Sequence, residues 1–303
     1  MAAFPADAVT AAEAATFIPE LWSDEVVAAY KANLVLAGLV TNFNHQGRKG
    51  DVFHIPAPVR GAANAKVADT AVTVIPHTDS DIAININLHY EYSRFIEDIA
   101  AVQALNSMRE FFTDDAGFGL ATQVDTDLHD VGNLLQGGAG TAAYDQAVIG
   151  SDGSTLYTGA NEAALADDGI RRAIQTLDDA NVPMRDRFLV IPPVEKNNLL
   201  GLARFTEQAF VGEVGMANSI RNGRIGSVYG VEVFVSTNCA TATGAARICL
   251  LLHRSAIALV TQVDIRVQTQ YKQEYLADLL TADTIYGVGE LRDDAGVAIA
   301  VLA

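Results

Sequence analysis

Cysteine is almost absent from this 303-residue chain, which contains only Cys239 and Cys249. Two thiols are too few for a disulfide scaffold or for a zinc site built from thiolates. The first residues also lack the basic cluster and apolar run of a secretory signal, and no apolar stretch reaches the roughly 20 residues that cross a membrane. We therefore expect two reduced, buried cysteines, synthesis in the cytoplasm and no membrane partner.

Basic residues are scarce as well. Lysine and arginine number 20 against 37 aspartates and glutamates, which gives a formal net charge of −17. Such a charge repels phosphate backbones and anionic lipids, so it argues against sequence-specific binding of nucleic acid. Because 50% of the residues are hydrophobic, the chain can bury a substantial core in one large domain or two modest ones.

Catalytic motifs are also lacking. The sequence has no phosphate-binding Gly-Lys-Ser or Gly-Lys-Thr, no Gly-x-Ser-x-Gly frame and no histidine pair with zinc-protease spacing. The strongest local cluster is Asp125, His129 and Asp130 on a predicted helix. We interpret it as a solvated helix edge, with a metal-binding site as the alternative. The sequence therefore predicts no catalytic, cofactor-binding or metal-binding residues, and a protein that is not an enzyme.

Other polar candidates have structural explanations. Adjacent carboxylates on a helix point about 100° apart and complement the helix dipole near its start, so they do not form an acid–base pair. His253 follows Cys249 by four residues, but the leucines between them favour a buried thiol and a hydrogen-bonded histidine. The carboxylate pairs considered are Glu97–Asp98, Asp114–Asp115, Asp167–Asp168 and Asp178–Asp179.

The most regular pattern that is present is an apolar stripe over residues 96–135. Apolar residues recur every three or four positions, which predicts one helix of roughly 60 Å, about twice the width of a small domain. Two shorter helices that meet near Gly117 are the alternative. Such a stripe needs cover from later strands or from other copies of the chain. Its members are Ile96, Ile99, Val102, Leu105, Met108, Phe112, Ala116, Leu120, Val124, Leu128, Val131 and Leu135.

A thin two-stranded excursion is predicted before this helix. Residues 52–56 read as a strand, residues 67–75 are β-like, and residues 81–88 alternate apolar and polar side chains. Since small or polar residues fill the tip, this hairpin has no core of its own and needs a partner surface. Ahead of it, Ser23 or Asp24 caps a predicted amphipathic helix that reaches about Val40.

The second half reads as a separate α/β unit, and a glycine-rich break at residues 137–140 marks the boundary. Short apolar or alternating runs predict strands, and longer amphipathic runs predict helices. The predicted helices are 161–180 and 195–205. The predicted strands are 187–191, 231–235, 247–260 with a break at 253–255, an alternating run at 263–267, 284–291 and 297–302.

The order of these elements resembles the major capsid protein of tailed bacteriophages, the Hong Kong 97-like coat protein family. Several phrases are similar to its members. Residues 22–26 (WSDEV) and 33–35 (NLV) resemble the N-terminal arm, and residues 89–98 resemble the start of the spine helix. Further phrases lie at residues 47–56, 181–192 and 222–233, and they resemble the start of the extended loop and two strands of the axial domain.

The resemblance implies an α+β fold of four parts. These are an N-terminal arm (1–46), an extended β-hairpin loop (47–92), a peripheral domain with the spine helix (93–136 and 252–303) and an axial domain (137–251). The lysine–asparagine pair that cross-links some relatives is not located in this sequence, so that chemistry is not carried over.

The resemblance further implies a coat protein that self-assembles as pentamers and hexamers into an icosahedral phage head around double-stranded DNA. Its location would be the virion. The expected partners are other copies of the chain, scaffolding, portal and decoration proteins, and DNA contacted without sequence specificity, with no cofactor. An encapsulin-like cellular compartment and a metal-dependent enzyme using Asp125, His129 and Asp130 are the alternatives.

Overall fold

A computed structural model describes residues 34–45, 49–57, 63–72, 74, 80–98, 108–136, 147–202, 226–242 and 246–302. The strands in these ranges are β1 Thr41–Asn44, β2 Val52–Pro56, β3 Asp81–Asn85, β4 Leu88–Glu97, β5 Val148–Ile149, β6 Arg187–Ile191, β7 Ser227–Val228, β8 Val231–Val235, β9 Arg247–His253, β10 Ile257–Lys272, β11 Ala277–Glu290 and β12 Gly296–Val301. The helices are α1 Leu36–Leu39, α2 Met108–Gly132, α3 Asp167–Asp179 and α4 Pro193–Gly201.

A four-stranded sheet in the order β1-β10-β11-β4 carries the long helix. Strand β11 pairs antiparallel with both β10 and β4, and the short β1 runs parallel to β10. Helix α2 packs on this sheet, where Ala116 and Leu120 meet Ala282 and the partly buried Tyr90 and Tyr92. The later strands therefore cover the helix stripe, as the sequence predicted.

A six-stranded sheet in the order β5-β12-β9-β6-β8-β7 forms the second unit. Its centre is apolar: every residue of β12 is buried, and so are the five residues between the ends of β9. Arg187 joins the start of β6 to the end of α3, because its guanidinium donates to the carbonyls of Val182 and Pro183 and pairs with Asp178 at 2.7 Å.

The strand pairing bears on the predicted domain boundaries. Strand β12 pairs with β9 and β5, so it lies in the sheet of the second unit, although the prediction grouped residues 252–303 with the spine helix. Strands β10 and β11, from the same segment, do lie beside α2. The remaining boundaries stay a prediction, and residues 137–140 lie outside the described residues.

The predicted start of the long helix is wrong. Ile96 and Glu97 are the last residues of β4, where they pair with Asp278 and Ala277 of β11. Pairing with a neighbouring strand fixes the backbone there, whatever the spacing of the apolar residues. Helix α2 is described from Met108, and its 25 residues span roughly 37 Å. It runs unbroken through Gly117, so the prediction of one helix is confirmed over this part.

The hairpin β2–β3 is confirmed. Val52 pairs with Asn85 and Pro56 with Asp81, and the side chains of residues 81–88 alternate between inner and exposed positions as predicted. Residues 67–72 and 74, however, form no strand, so that part of the prediction is wrong. Their β-prone side chains have no partner strand among the described residues of the chain, and a lone extended segment leaves its backbone unpaired.

The end of the predicted N-terminal arm is part of the core. Residues 34–40 of the predicted arm helix are described, but only Leu36–Leu39 are helical (α1), and the unpredicted strand β1 follows. Leu36, Leu39 and Val40 are buried in the main hydrophobic cluster. Residues 23–33, which would form the rest of the predicted helix, lie outside the described residues.

Candidate assembly surfaces and their anchors

The hairpin is fixed to the long sheet at two glycines of β11. A Cβ atom on Gly287 would lie 2.4 Å from the backbone oxygen of Asn85, and one on Gly289 would lie 2.9 Å from Cγ1 of Ile84. Both contacts are closer than a side chain tolerates, so glycine lets β3 cross directly over β11. Two glycines inside an alternating strand signal such a close approach, and the sequence reasoning missed that signal.

Apolar packing supports the same crossing. Ile84 and Ile86 are buried against Ala258 and Val260 of β10, and Phe53 on β2 joins the cluster. The amide of Ile86 donates to the carbonyl of Asp51 at 2.8 Å, which closes the base of the hairpin. Beyond this base the hairpin has no hydrophobic cluster among the described residues, so its direction is set where it crosses the sheet.

Tyrosine–aspartate hydrogen bonds join helix α2 to the sheet. Tyr92 on β4 donates to Asp115 at 2.7 Å, and Tyr286 on β11 donates to Asp127 at 2.5 Å. Burial and the hydrogen bond to Asp127 raise the pKa of Tyr286 far above its usual value, so it stays a proton donor. These bonds fix both the position and the rotation of the helix on the sheet.

A buried polar cluster links α2 to two other segments. The carboxylate of Asp125 accepts the amide of Leu36 at 3.0 Å and the side-chain amide of Asn238 at 3.2 Å. His129 lies beside it, with Nε2 at 3.7 Å from the carboxylate. Asp125 and His129 are both buried, so the interpretation of this pair as a solvated helix edge is wrong. Neighbouring segments, which helix periodicity does not reveal, cover that edge.

The metal alternative uses the same cluster. Asp130, its third member, is exposed, whereas Asp125 and His129 are buried. In the ranges described, no three His, Cys, Asp or Glu side chains lie close enough together to hold a metal ion. Burial lowers the pKa of His129 to about 4, although the Asp125 charge opposes that shift, so the imidazole is neutral at pH 7.

Among the carboxylate pairs, Asp167–Asp168 has the expected place at the start of a helix, whereas Glu97 is the last residue of strand β4. Asp167 and Asp168 open α3, and both pair with Arg171. Asp98 accepts a hydrogen bond from Tyr271 at 2.8 Å.

The cysteines and His253 also match expectation. Cys239 and Cys249 are free and buried, and burial raises the pKa of Cys239 to about 12 and that of Cys249 well above its usual value. His253 shares a hydrogen bond of 2.7 Å with Ser255.

Comparison with protein families decides the identity. The family model of phage capsid proteins matches residues 136–302, more than half of the chain. The chain belongs to the phage capsid protein family. A comparison with curated protein sequences returned no match.

Solved structures agree over almost the whole length. The capsid chain resembles "Mycobacterium phage Che8" with 25% identity, a TM-score of 0.73 and coverage of 93% of this chain and 97% of that one. It resembles a chain of the capsid of cyanophage P-SCSP1u with 17% identity, a TM-score of 0.74 and coverage of 94% and 93%. For the capsid of Ralstonia phage GP4 the identity is 13% and the TM-score is 0.68, with coverage of 94% of this chain and 95% of that one.

These matches confirm the predicted Hong Kong 97-like fold and a major capsid protein whose location is the virion. Its role is structural, and it associates with other copies of itself. The matches with phages favour the phage head over the encapsulin-like compartment. Among the helices described, none combines the length and the apolar character needed to span a membrane.

Exposed apolar side chains of the capsid protein form two groups, one at the hairpin tip and one around the turn between β10 and β11. Val67, Val72 and Val74 at the hairpin tip are 65%, 72% and 82% exposed. Around the β10–β11 turn, Tyr275 and Leu276 are 65% and 62% exposed. Phe95 of β4 lies against Tyr275, with ring centroids 5.3 Å apart. Clustered exposed side chains of this kind mark surfaces that contact other molecules.

Proposed function

We propose that the chain forms the pentamers and hexamers of an icosahedral phage head that encloses double-stranded DNA without reading its sequence. The observation that carries this proposal is the hairpin β2–β3 on a chain of the capsid family. Its base is packed against the sheet, whereas its tip carries exposed valines. A single subunit leaves this apolar surface in water, and a neighbouring subunit would cover it.

The hairpin would lap over the neighbouring subunit. Its strand β3 extends three residues, about 10 Å, beyond the anchor of Ile84 and Asn85 on β11, and the tip adds further length. An element so thin is marginal alone, which is the reason it needs a partner surface. The net charge of −17 supports a wall that encloses DNA and binds it weakly.

Each of the four predicted parts would have its own role in assembly. The arm (1–46) and loop (47–92) would reach neighbours, the peripheral domain (93–136 and 252–303) would form the wall, and the axial domain (137–251) would meet its copies around the five-fold and six-fold axes. Strand β12 would belong with the axial sheet that it pairs in. Scaffolding, portal and decoration proteins would be the other partners, and no catalytic step would be needed.

Assembly of the purified chain tests this proposal. With its scaffolding protein present, we expect particles of megadalton mass by sedimentation and closed shells by electron microscopy. Compact monomers alone at high concentration would count against a shell subunit. Mass measurement of native particles gives the second readout, because packaged long DNA supports a phage head and a single cargo protein supports a cellular compartment.

A further inference from the structure

A cleft of about 200 Å³ lies between helix α2 and the long sheet. Four segments form its walls: the residues around α1, the middle of α2, strand β10 and strand β11. The register of β10 against β11 shifts twice between Thr261 and Arg266, and the cleft is lined by residues on both sides of Val263. A strand that is distorted in this way does not pack evenly against a helix, which leaves open space at that position.

Most of the surface of the cleft is apolar. Tyr286 contributes its ring, because its hydroxyl already donates to Asp127. An apolar cavity of roughly 150 Å³ is enough to bind benzene, so the cleft has room for one six-membered ring with a short substituent. The aliphatic side chains that line it are Leu34, Ala37, Ala121, Val124, Leu259 and Ile265.

The charged groups of the cleft are carboxylates. Asp125 is buried and already accepts the amides of Leu36 and Asn238. Asp264 is exposed, so it lies at the open side, and its Oδ1 accepts the amide of Ile265 at 2.8 Å. The described lining contains no lysine, arginine or histidine that would neutralise Asp264. The cleft therefore combines an apolar interior with a negative charge at its entrance, on a chain that is itself strongly acidic.

We propose that this cleft binds a small aromatic ammonium ion, with its ring between α2 and β10 and its ammonium group at Asp264. The apolar walls supply most of the contact area, and the carboxylate selects the charge of the ligand. Such a ligand contacts segments that are distant in the sequence, so it stabilises their arrangement. The inference concerns the subunit itself and does not depend on assembly into a shell.

Binding of benzylamine to the full-length chain tests the site. Benzylamine is a cation at pH 7, and for its eight non-hydrogen atoms we expect a dissociation constant of roughly 0.1–10 mM in ligand-observed magnetic resonance titrations. Benzyl alcohol has the ring without the charge and should bind about two- to fivefold more weakly. Methylamine has the charge without the ring and should not bind in the same range. Equal binding of methylamine and benzylamine would overturn the proposal.

Residues 1–33 and a neighbouring subunit are the competing occupants of the cleft. If either fills it, benzylamine does not bind to the full-length chain, and that result would also overturn the proposal.

Substitutions at the cleft separate a specific site from general attraction to an acidic chain. Asp264→Asn should weaken the binding of benzylamine about two- to fivefold and leave that of benzyl alcohol unchanged. Asp69→Asn makes the same change in net charge but does not line the cleft, so it should leave both affinities unchanged. Ala121→Phe places a ring in the cleft and should abolish the binding of both compounds. Equal losses with Asp264→Asn and Asp69→Asn would overturn the assignment of the ammonium group to Asp264.

Photolabelling locates the ligand without any substitution. An aryl azide analogue of benzylamine is added to the full-length chain and illuminated, and the labelled peptides are identified by mass spectrometry. We expect labels within residues 34–37, 121–125 or 259–265, and we expect an excess of benzylamine to suppress them. Labels confined to other peptides would overturn the proposal, even where Ala121→Phe fails to fold.

Discussion

At the scale of single residues, Gly169 shows how a glycine determines packing. It lies in the first turn of α3, and a Cβ atom there would be 2.1 Å from the carbonyl oxygen of Gly150. Gly169→Ala should therefore lower the free energy of unfolding by roughly 1–3 kcal/mol. Gly117 in α2 is the matched control, since a Cβ atom there meets nothing within 4 Å. Gly117→Ala should raise stability by up to about 1 kcal/mol. Urea unfolding of both variants measures this, and equal effects would contradict the packing argument.

His129 should make stability depend on pH. Its pKa is lowered to about 4 in the folded protein by burial, against about 6.5 when unfolded. Between these values the unfolded chain binds one more proton, so the free energy of unfolding falls as the pH drops. His129→Leu removes this term. The stability of wild type relative to the variant should fall by about 2 kcal/mol from pH 7 to pH 5 in urea titrations. A difference that stays constant with pH would show that His129 titrates alike in both states.

The same residues show where sequence reasoning stops. The periodicity of α2 placed Asp125 and His129 correctly on a helix but on its solvated side. Both are buried because Leu36 and Asn238, which are 89 and 113 residues away from Asp125, close over them. No local pattern announces such a contact. The buried cysteines, by contrast, were predictable from their number and their apolar neighbours.

At the scale of elements, the contact between α2 and the sheet depends on buried tyrosine bonds. Tyr286 is 1% exposed and donates to Asp127 at 2.5 Å, whereas Tyr271 is 46% exposed and donates to Asp98 at 2.8 Å. Tyr286→Phe removes the donor to Oδ2 of Asp127, although Gln123 still donates to Oδ1 at 2.9 Å, and should cost about 1–3 kcal/mol of stability. Tyr271→Phe should cost less than about 0.5 kcal/mol. Thermal or urea unfolding separates the two, and equal losses would mean that these bonds do not hold the helix.

The hairpin direction should depend more on Gly287 than on Gly289. At Gly287 an added Cβ meets the backbone of Asn85, which cannot move without the strand, but at Gly289 it meets the side chain of Ile84. Gly287→Ala should therefore give folded subunits that form few closed shells, and Gly289→Ala, which displaces a side chain only, should lose less of its assembly. Sedimentation gives the fraction of subunits in particles, and near-ultraviolet circular dichroism checks the fold. Normal assembly of Gly287→Ala would contradict this role of the crossing.

Elements with local boundaries were predicted with their correct ends. Strands β2, β6 and β8 match the predicted residues 52–56, 187–191 and 231–235, because glycine or proline bounds most of their ends. Strand β11 was predicted only from Thr284, and the predicted alternation in the outer half of β10 stopped at Val267, although the strand continues to Lys272. These long strands exist because they pair with each other and with β4. Pairing partners distant in sequence also moved the start of the long helix from Ile96 to beyond β4.

At the scale of the whole molecule, the sequence already indicated apolar surfaces that a single chain does not bury by itself. The thin hairpin, its polar tip and the long stripe predicted surfaces that other copies cover, and the capsid family accounts for that need. In the described helix Met108–Gly132, the stripe is covered within the chain, by β11 and by Leu250 beside Gly132. Among the described residues, the hairpin tip and the β10–β11 turn carry groups of exposed apolar side chains, and these are the surfaces that we expect neighbours to cover.

The β10–β11 turn should contribute to assembly and little to subunit stability. Tyr275 and Leu276 are 65% and 62% exposed, so the double variant Tyr275→Ser/Leu276→Asn should change the free energy of unfolding by less than about 0.5 kcal/mol. Asparagine suits the φ of +46° at Leu276.

If a neighbour buries Tyr275 and Leu276, each side chain contributes about 1.5–3 kcal/mol to that contact. The subunit concentration needed for assembly of the double variant should then rise at least about tenfold. Glu274→Ser in the same turn is the control, with the wild-type concentration expected. Light scattering over a concentration series measures the threshold, and an unchanged threshold in the double variant would place this turn outside the contacts of the shell.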